Sequence, residues 1–158
     1  MSKILYIIGV CLLALTSSLR AQEVAVLKVA LVQPHFEWGD VKANLSAFDK
    51  RVRSCKNCDL IVFPELFTFG CEMKKRDKAE AVRTKDGIAS CYPAIVRKMQ
   101  KWARRSQALV IGSTIYKEDG KYYNRLLAVF PDGTYRYYDK HNCFKKGSFS
   151  PGNAHLMF

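Results

Sequence analysis

The sequence lacks an apolar run long enough to cross a membrane. A spanning helix needs about 20 apolar residues, whereas the run at residues 4–15 has twelve. Lys3 precedes this run and small and polar residues lead from it to Ala21, which is the pattern of a signal peptide. We therefore expect residues 1–21 to be cleaved and residues 22–158 to be secreted or periplasmic, with no membrane segment after cleavage.

Acidic residues are scarce. The chain has 14 Asp and Glu against 26 Lys and Arg, and its formal net charge of +12 falls to +10 when Lys3 and Arg20 leave with the signal peptide. Such an excess permits binding to polyanions through counterion release. However, the basic residues are scattered and no nucleic-acid-binding motif surrounds them. A solvated basic surface is the favoured interpretation, and we expect no nucleic acid partner.

Metal-ligand spacing is also missing. His35, His141 and His155 are far apart in sequence, and the Cys55–Cys58 pair has no second pair to complete a zinc site. We expect neither a metal nor a cofactor. The Cys55–Cys58 pair closes a predicted helix instead of opening one, which favours a local disulfide or ordinary thiols over a redox motif. Pairing stays open among the five cysteines that remain after cleavage: Cys55, Cys58, Cys71, Cys91 and Cys143.

The first half of the mature chain alternates strand and helix patterns, and no internal repeats interrupt it. Val24–Gln33 is an apolar, β-branched run that ends at Pro34, and Leu60–Phe63 is a second short run. Between them, Asp40 is suited to cap a helix. Together these elements predict a β-α-β unit with parallel strands. The helix carries one apolar stripe: Val41, Leu45, Phe48 and Val52.

The second half contains one amphipathic helix and a run of strands. Residues 66–87 have no clear period and are predicted as an irregular loop. Strands are predicted at residues 108–116, 122–130 and 135–138, and the first two form a hairpin. The order βαβαβββ predicts a layered α/β domain with helices on one face of a mixed sheet. The predicted helix carries Tyr92, Ile95, Met99 and Trp102 on one face, and His155–Phe158 begins a further predicted strand.

Glu65 directly follows the buried strand at residues 60–63. Sites in α/β sheets commonly form at the carboxyl ends of strands. We expect partial burial to raise the pKa of Glu65 toward the range of a general base. A glutamate after a proline is also an ordinary helix-start residue, and position alone leaves that alternative open.

Four segments resemble motifs of the nitrilase superfamily of carbon–nitrogen hydrolases, and they follow the order and the approximate spacing of those motifs in the family. The resemblance covers residues 26–158, and within the superfamily Glu65–Gly70 and Tyr138–Lys140 resemble the ω-amidase-type branch most. The similar segments are Lys28–Gln33, Trp38–Asp40 with Asn44, Phe63–Phe67, and Tyr123–Arg125 leading through Pro131–Gly133 to Tyr138–Lys140.

The resemblance implies an αββα sandwich, of which this chain is the N-terminal half, and a Glu–Lys–Cys triad that hydrolyses a small amide. Glu65 matches the general base and Lys140 the residue that stabilises the oxyanion. The nucleophilic cysteine is expected beyond Phe158, so the chain alone should be inactive. Cys71 and Cys143 are poor substitutes, because neither follows a strand on a tight turn. A homo-oligomer is expected for a full-length form.

Two departures from the family pattern leave alternatives open. The nucleophile is absent from this half of the sandwich, and the loop between Phe144 and Phe149 is shorter than in related sequences and lacks an additional glutamate often found there. The chain could therefore be a non-catalytic half-domain that binds another chain or has lost its function. Among enzymes, a secreted pantetheinase- or biotinidase-like amidase is the second choice.

Overall fold

The computed structural model describes residues 26–70, 78–143 and 148–153. The signal peptide expected at residues 1–21, Cys71, most of the loop between Phe144 and Phe149, and the strand expected at His155–Phe158 lie outside the described residues. No helix in the described part of the chain is long and apolar enough to span a membrane.

The first elements form the predicted parallel unit. Strand β1 (Val29–Leu31) and strand β2 (Leu60–Val62) pair in parallel on either side of helix α1 (Val41–Val52). Asp40 caps α1, since its Oδ1 accepts a hydrogen bond of 2.9 Å from the Ala43 amide. Strand β1 is shorter than predicted, because β2 offers it only three residues to pair with.

Two helices follow where one was predicted. Helix α2 (Lys78–Ser90) occupies part of the expected loop, and helix α3 (Tyr92–Ser106) is the amphipathic helix that the sequence indicated. The loop prediction is therefore wrong from Lys78 onward. Among residues 80–90 of α2, whose side chains are described, only Ile88 is deeply buried, so the helix shows no apolar period. Gly87, the last residue of the segment predicted as a loop, lies on an open side of α2, where a Cβ would meet no atom within 4 Å.

The remaining strands form an antiparallel meander. Strands β3 (Leu109–Glu118), β4 (Lys121–Val129) and β5 (Tyr135–Asp139) pair in that order, and β3 also pairs in parallel with β2. The tight β3–β4 turn has positive φ at Asp119 and Gly120, 49° and 73°, as expected of a two-residue hairpin turn. The result is a mixed sheet ordered β1-β2-β3-β4-β5.

Helices α1 and α3 cover one face of this sheet, as predicted. Alternation along the strands turns Ile61, Val110 and Val129 toward the helices, because they are register partners across β2, β3 and β4. They join one buried cluster with side chains of the two helices. Its largest members are Phe48, Phe63, Phe67, Met99 and Trp102.

The opposite face of the sheet carries apolar side chains that no helix of the described chain covers. Val29 and Leu31 of β1 are 46% and 78% exposed. Contiguous apolar area of this kind on a protein surface usually marks an interface. We call this surface the open face; by alternation and register it comprises Val29, Leu31, Leu60, Val62, Ile111 and Leu126.

Candidate active site

Glu65 is presented at the end of β2 by a sharp turn of the backbone. After β2 the chain stays beside β3, where the Phe63 amide donates to the Ile111 carbonyl at 2.8 Å. Leu66 then adopts a left-handed conformation with φ of 51°, and its amide donates to Ser113 Oγ at 2.8 Å. This turn leaves the Glu65 side chain above β3 and β4 on the open face.

Lys140 is held at the end of β5 from two sides. Its amide donates to the Asn124 carbonyl on β4 at 2.9 Å, and its carbonyl accepts from the Gly152 amide at 3.1 Å. Gly152 lies so close to Asp139 that a Cβ at this position would collide with the Asp139 backbone. A glycine is therefore required for this segment to reach Lys140.

The two site residues predicted from sequence meet, although 75 positions separate them. Lys140 Nζ donates to Glu65 Oε1 at 2.7 Å, and Asn124 Nδ2 donates to the same oxygen at 2.6 Å. Among the described residues nothing donates to Glu65 Oε2. The site thus combines a carboxylate that retains acceptor capacity with an ammonium group beside it.

The electrostatics of Glu65 differ from the expectation. The hydrogen bond from Lys140 is the largest influence and lowers the pKa of Glu65 below its ordinary value of 4.5, while burial opposes this and Asn124 adds to it. The expected upward shift is wrong, because the side chain remains 59% exposed and has a cation in contact. Glu65 is therefore a carboxylate at neutral pH and can accept a proton.

The pair lies between two clefts. The first has a volume of about 270 Å³, and the second about 380 Å³. Glu65, Asn124 and Lys140 line both, so a molecule in either cleft would contact the carboxylate and the ammonium group. Other residues lining the first cleft are Phe63, Pro64, Ser113, Leu126 and Tyr138, and those lining the second are Leu66, Cys143, Ser148 and Phe149.

Cys143 borders the second cleft but its thiol is directed at the backbone. Its sulfur lies 3.6 Å from the Lys140 carbonyl and 3.7 Å from the Ser150 carbonyl. Both contacts are those of a thiol donor with carbonyl acceptors. The expectation that Cys143 is not the nucleophile stays a prediction, and this geometry favours it.

The other polar residues singled out in the sequence lie away from this site. Cys55 and Cys58 are free thiols at the far end of α1. Asn44, part of a segment that resembles the family, is fully buried, and its amide donates to the carbonyls of Glu37 and Thr68. No cluster of three metal-ligating residues occurs in residues 26–70, 78–143 and 148–153.

The family model for carbon-nitrogen hydrolases matches residues 28–157. The chain belongs to the carbon-nitrogen hydrolase family. Among curated members, the omega-amidase YafV of Escherichia coli K12 is 32% identical over 135 residues, covering 83% of this chain and 49% of the relative. The omega-amidase YafV of Yersinia enterocolitica is 34% identical over 121 residues, covering 77% and 43%. The family assignment made from the motifs is confirmed, and these relatives fit its ω-amidase-type resemblance.

Solved carbon-nitrogen hydrolases have the same fold. A superfamily protein from Xanthomonas campestris with an arsenic adduct in its active site aligns with a TM-score of 0.70 and 27% identity, covering 82% of this chain and 48% of that one. An amidase from Nesterenkonia sp. AN1 aligns at 0.67 and 20%, covering 82% and 51%. The predicted fold class is confirmed. The chain spans about half the length of the relatives it matches.

Sequence reasoning missed two contributors to the site of this family member. Asn124 was noted only as part of a motif, yet its amide binds Glu65. Ser113 was not singled out, yet its hydroxyl fixes the turn after Glu65. The motif could have indicated Asn124, because it lies four residues after Gly120 of the β3–β4 turn in a segment already matched to the family. No local signal marks Ser113.

Proposed function

We propose that this chain supplies the general base and the oxyanion-stabilising lysine of an ω-amidase-like enzyme that hydrolyses small linear amides. The observation that carries the proposal is the 2.7 Å contact between Glu65 Oε1 and Lys140 Nζ. The nucleophilic cysteine is proposed to come from outside the described residues. The described part of the chain should therefore have no amidase activity by itself, since loss of a covalent nucleophile removes the mechanism.

The proposed reaction has two steps. The cysteine sulfur attacks the amide carbon while Glu65 accepts the thiol proton and passes it to the leaving nitrogen, which departs as ammonia. Lys140 Nζ donates to the oxygen on which negative charge develops. Glu65 then takes a proton from water, whose oxygen attacks the thioester carbon, and returns this proton to the departing sulfur, which releases the acid and the free thiol.

The exposure of the pair suits these roles. Glu65 is already ionised when substrate arrives, because Lys140 lowers its pKa. One Lys140 contact is made to Glu65, and an ammonium group has three donors, so donors remain for a substrate oxygen. Asn124 keeps the carboxylate in place while Lys140 turns to the substrate.

The first cleft supports a small substrate with an apolar stem. Its volume of about 270 Å³ is near the lower limit for ligand pockets, and Phe63, Leu126 and Tyr138 supply apolar surface. We propose a short linear amide, in keeping with the relatives named omega-amidase. A pantetheinase- or biotinidase-like amidase is the alternative, and it would need the larger second cleft.

A hybrid enzyme tests the proposal. This chain would be co-expressed with the C-terminal half of the Escherichia coli omega-amidase, and ammonia release would be measured with ω-amides of short dicarboxylic acids, with a pantetheine amide and with a biotin amide. We expect hydrolysis of the first class only, and only when both halves are present. A folded hybrid that hydrolyses none of these amides would overturn the proposal.

A second role, as a non-catalytic half-domain, is favoured by one observation: Val29 and Leu31 are exposed on the open face. In this case the open face binds another chain and Glu65 and Lys140 serve no reaction. Size-exclusion chromatography with light scattering on the purified protein and its native partners separates the two roles, since a complex without amidase activity supports only this one.

Export is proposed for the protein as well. Cleavage after Ala21 would leave Gln22 as the first residue. N-terminal sequencing and the intact mass of the native protein test this, and a native protein that begins at Met1 would exclude cleavage.

A further inference from the structure

Behind the candidate site lies a buried ion pair that touches neither cleft. Arg125 of β4 is only 6% exposed. Its Nε donates to Asp139 Oδ1 at 2.7 Å and its Nη2 donates to Asp139 Oδ2 at 2.7 Å. The Tyr116 and Tyr137 rings lie on the guanidinium, with centroids 3.5 and 3.8 Å from its carbon.

Such a pair contributes little net stability to the contact between two strands. Removing both charges from water opposes their attraction, and apolar side chains of similar volume often stabilise a protein as well or better. Apolar side chains do not fix the relative orientation of two strands. A bidentate contact between guanidinium and carboxylate fixes both their distance and their orientation. The pair is therefore better explained by a geometric requirement than by stability.

The requirement becomes clear from the neighbours of the pair. Asn124 precedes Arg125 on β4, and Lys140 follows Asp139 at the end of β5. Arg125 and Asp139 are register partners at the end of the β4–β5 ladder, and alternation directs them to the side away from Asn124 and Lys140. The ion pair thus lies directly behind the two residues that donate to Glu65.

Strand β5 needs an interaction that fixes its register against β4. In the described sheet it pairs only with β4 and is short, with five residues. A slip by one residue would turn every side chain of β5 to the opposite face, and Lys140 would then point away from Glu65. Arg125 and Asp139 oppose that slip, because their bidentate contact exists in one register only.

We propose that Arg125 and Asp139 are positioning residues that fix β5 in the register that places Lys140 against Glu65. The inference rests on the proposed function for its role in catalysis, whereas the geometric claim stands by itself. Neither residue touches the clefts, so neither is a catalytic residue.

The test is the pKa of Glu65 in the full chain, measured by carbon-13 NMR of its side-chain carboxyl group. Because Lys140 is the main cause that lowers this pKa, the value reports whether Lys140 is in place. Lys140→Met sets the upper reference. The double variant Arg125→Met/Asp139→Leu replaces the ion pair with an apolar pair that can fill the same space.

We expect the double variant to raise the Glu65 pKa by at least half of the shift that Lys140→Met produces, although it folds. The matched control is Arg53→Met, which removes an arginine from a carboxylate at the far end of α1 and should leave the pKa of Glu65 unchanged. A folded double variant with the wild-type pKa would overturn the proposal.

If the double variant does not fold, Arg125→Lys decides. Lysine keeps the charge but cannot make the bidentate contact, so a partial rise in the Glu65 pKa is expected and an unchanged value would refute the role. These readouts do not involve amide hydrolysis. A hybrid enzyme that fails to turn over therefore contradicts the proposed function, while an unshifted Glu65 contradicts only the positioning role.

Discussion

Two carboxylates of this protein have a lowered pKa and a lysine in contact, but their surroundings differ. Asp49 on α1 is 11% exposed and contacts Trp102, Lys98, Arg53 and Arg105. Burial alone would raise its pKa, but hydrogen bonds from Trp102, Lys98 and Arg53 bring the pKa well below the ordinary value. Glu65 is 59% exposed and has one lysine and one amide, both on the same oxygen.

The difference separates a structural carboxylate from one able to react. Both Asp49 oxygens are occupied, and their partners belong to the helical layer that covers the sheet. Glu65 keeps one oxygen without a described donor and faces a cleft. A lowered pKa alone therefore does not identify a functional residue; remaining acceptor capacity and access do.

The sharpest way to test the comparison is to neutralise Glu65 in the hybrid enzyme. Glu65→Gln keeps the size and the Asn124 neighbour but removes the proton acceptor, so kcat should fall by about 10²–10⁴-fold, as for loss of a general base. Ammonia release at saturating substrate measures this. Asp132→Asn on the β4–β5 turn is the control and should retain full activity. An active Glu65→Gln enzyme would remove Glu65 from the mechanism.

The complementary change is Asp49→Ala, which should act on stability. It leaves the buried Trp102 Nε1 without its acceptor and three cations without their anion. We expect a loss of about 2–4 kcal/mol in the free energy of unfolding. The loss should be smaller than for a fully buried ion pair, because the three cations can reach water. Urea unfolding measures it. A loss below about 1 kcal/mol would class Asp49 with solvated ion pairs.

The sequence was enough to predict the two charged residues of the candidate site. Glu65 was a candidate from its position after a buried strand, and the resemblance of Phe63–Phe67 and Tyr138–Lys140 to family motifs selected Glu65 and Lys140. The direction of the Glu65 pKa could not be predicted, because its cation lies 75 residues away. The residues next to Glu65 in the sequence indicate that it is partly buried, but they do not indicate that Lys140 contacts it.

The Asp49 network was invisible in the sequence for the same reason. Asp49 looks like an ordinary polar position on an amphipathic helix, and its partners Lys98 and Trp102 belong to α3. The helices with strong apolar stripes were predicted, whereas α2 was missed because Ile88 is the one deeply buried residue in its described part, residues 80–90. Periodicity reports how a helix is buried, and a helix with a small buried face gives little signal.

Acid sensitivity should differ between the two carboxylates. A carboxyl group whose pKa is lower in the folded than in the unfolded state stabilises the fold at pH above its unfolded-state pKa. This contribution is lost as the pH falls through the folded-state pKa. For Asp49 the loss begins near its ordinary value of 3.8 and continues well below it. Unfolding followed by circular dichroism from pH 6 to about pH 2 should therefore be less pH-dependent in Asp49→Asn than in wild type. Glu65→Gln should change the profile much less, and a reversed ranking would contradict the comparison.

The smallest expected effect is that of Lys140→Met on stability. Glu65 would lose its cation, but its carboxylate is more than half exposed, so water replaces the lost donor. Exposed ion pairs contribute about 0–1 kcal/mol, and we expect a change within about 0.5 kcal/mol in urea unfolding. A loss of about 2 kcal/mol or more would mean that the Glu65–Lys140 contact anchors β5 as the Asp49 contacts anchor the helices. The contact would then be structural, and its exposure would no longer distinguish the two regions.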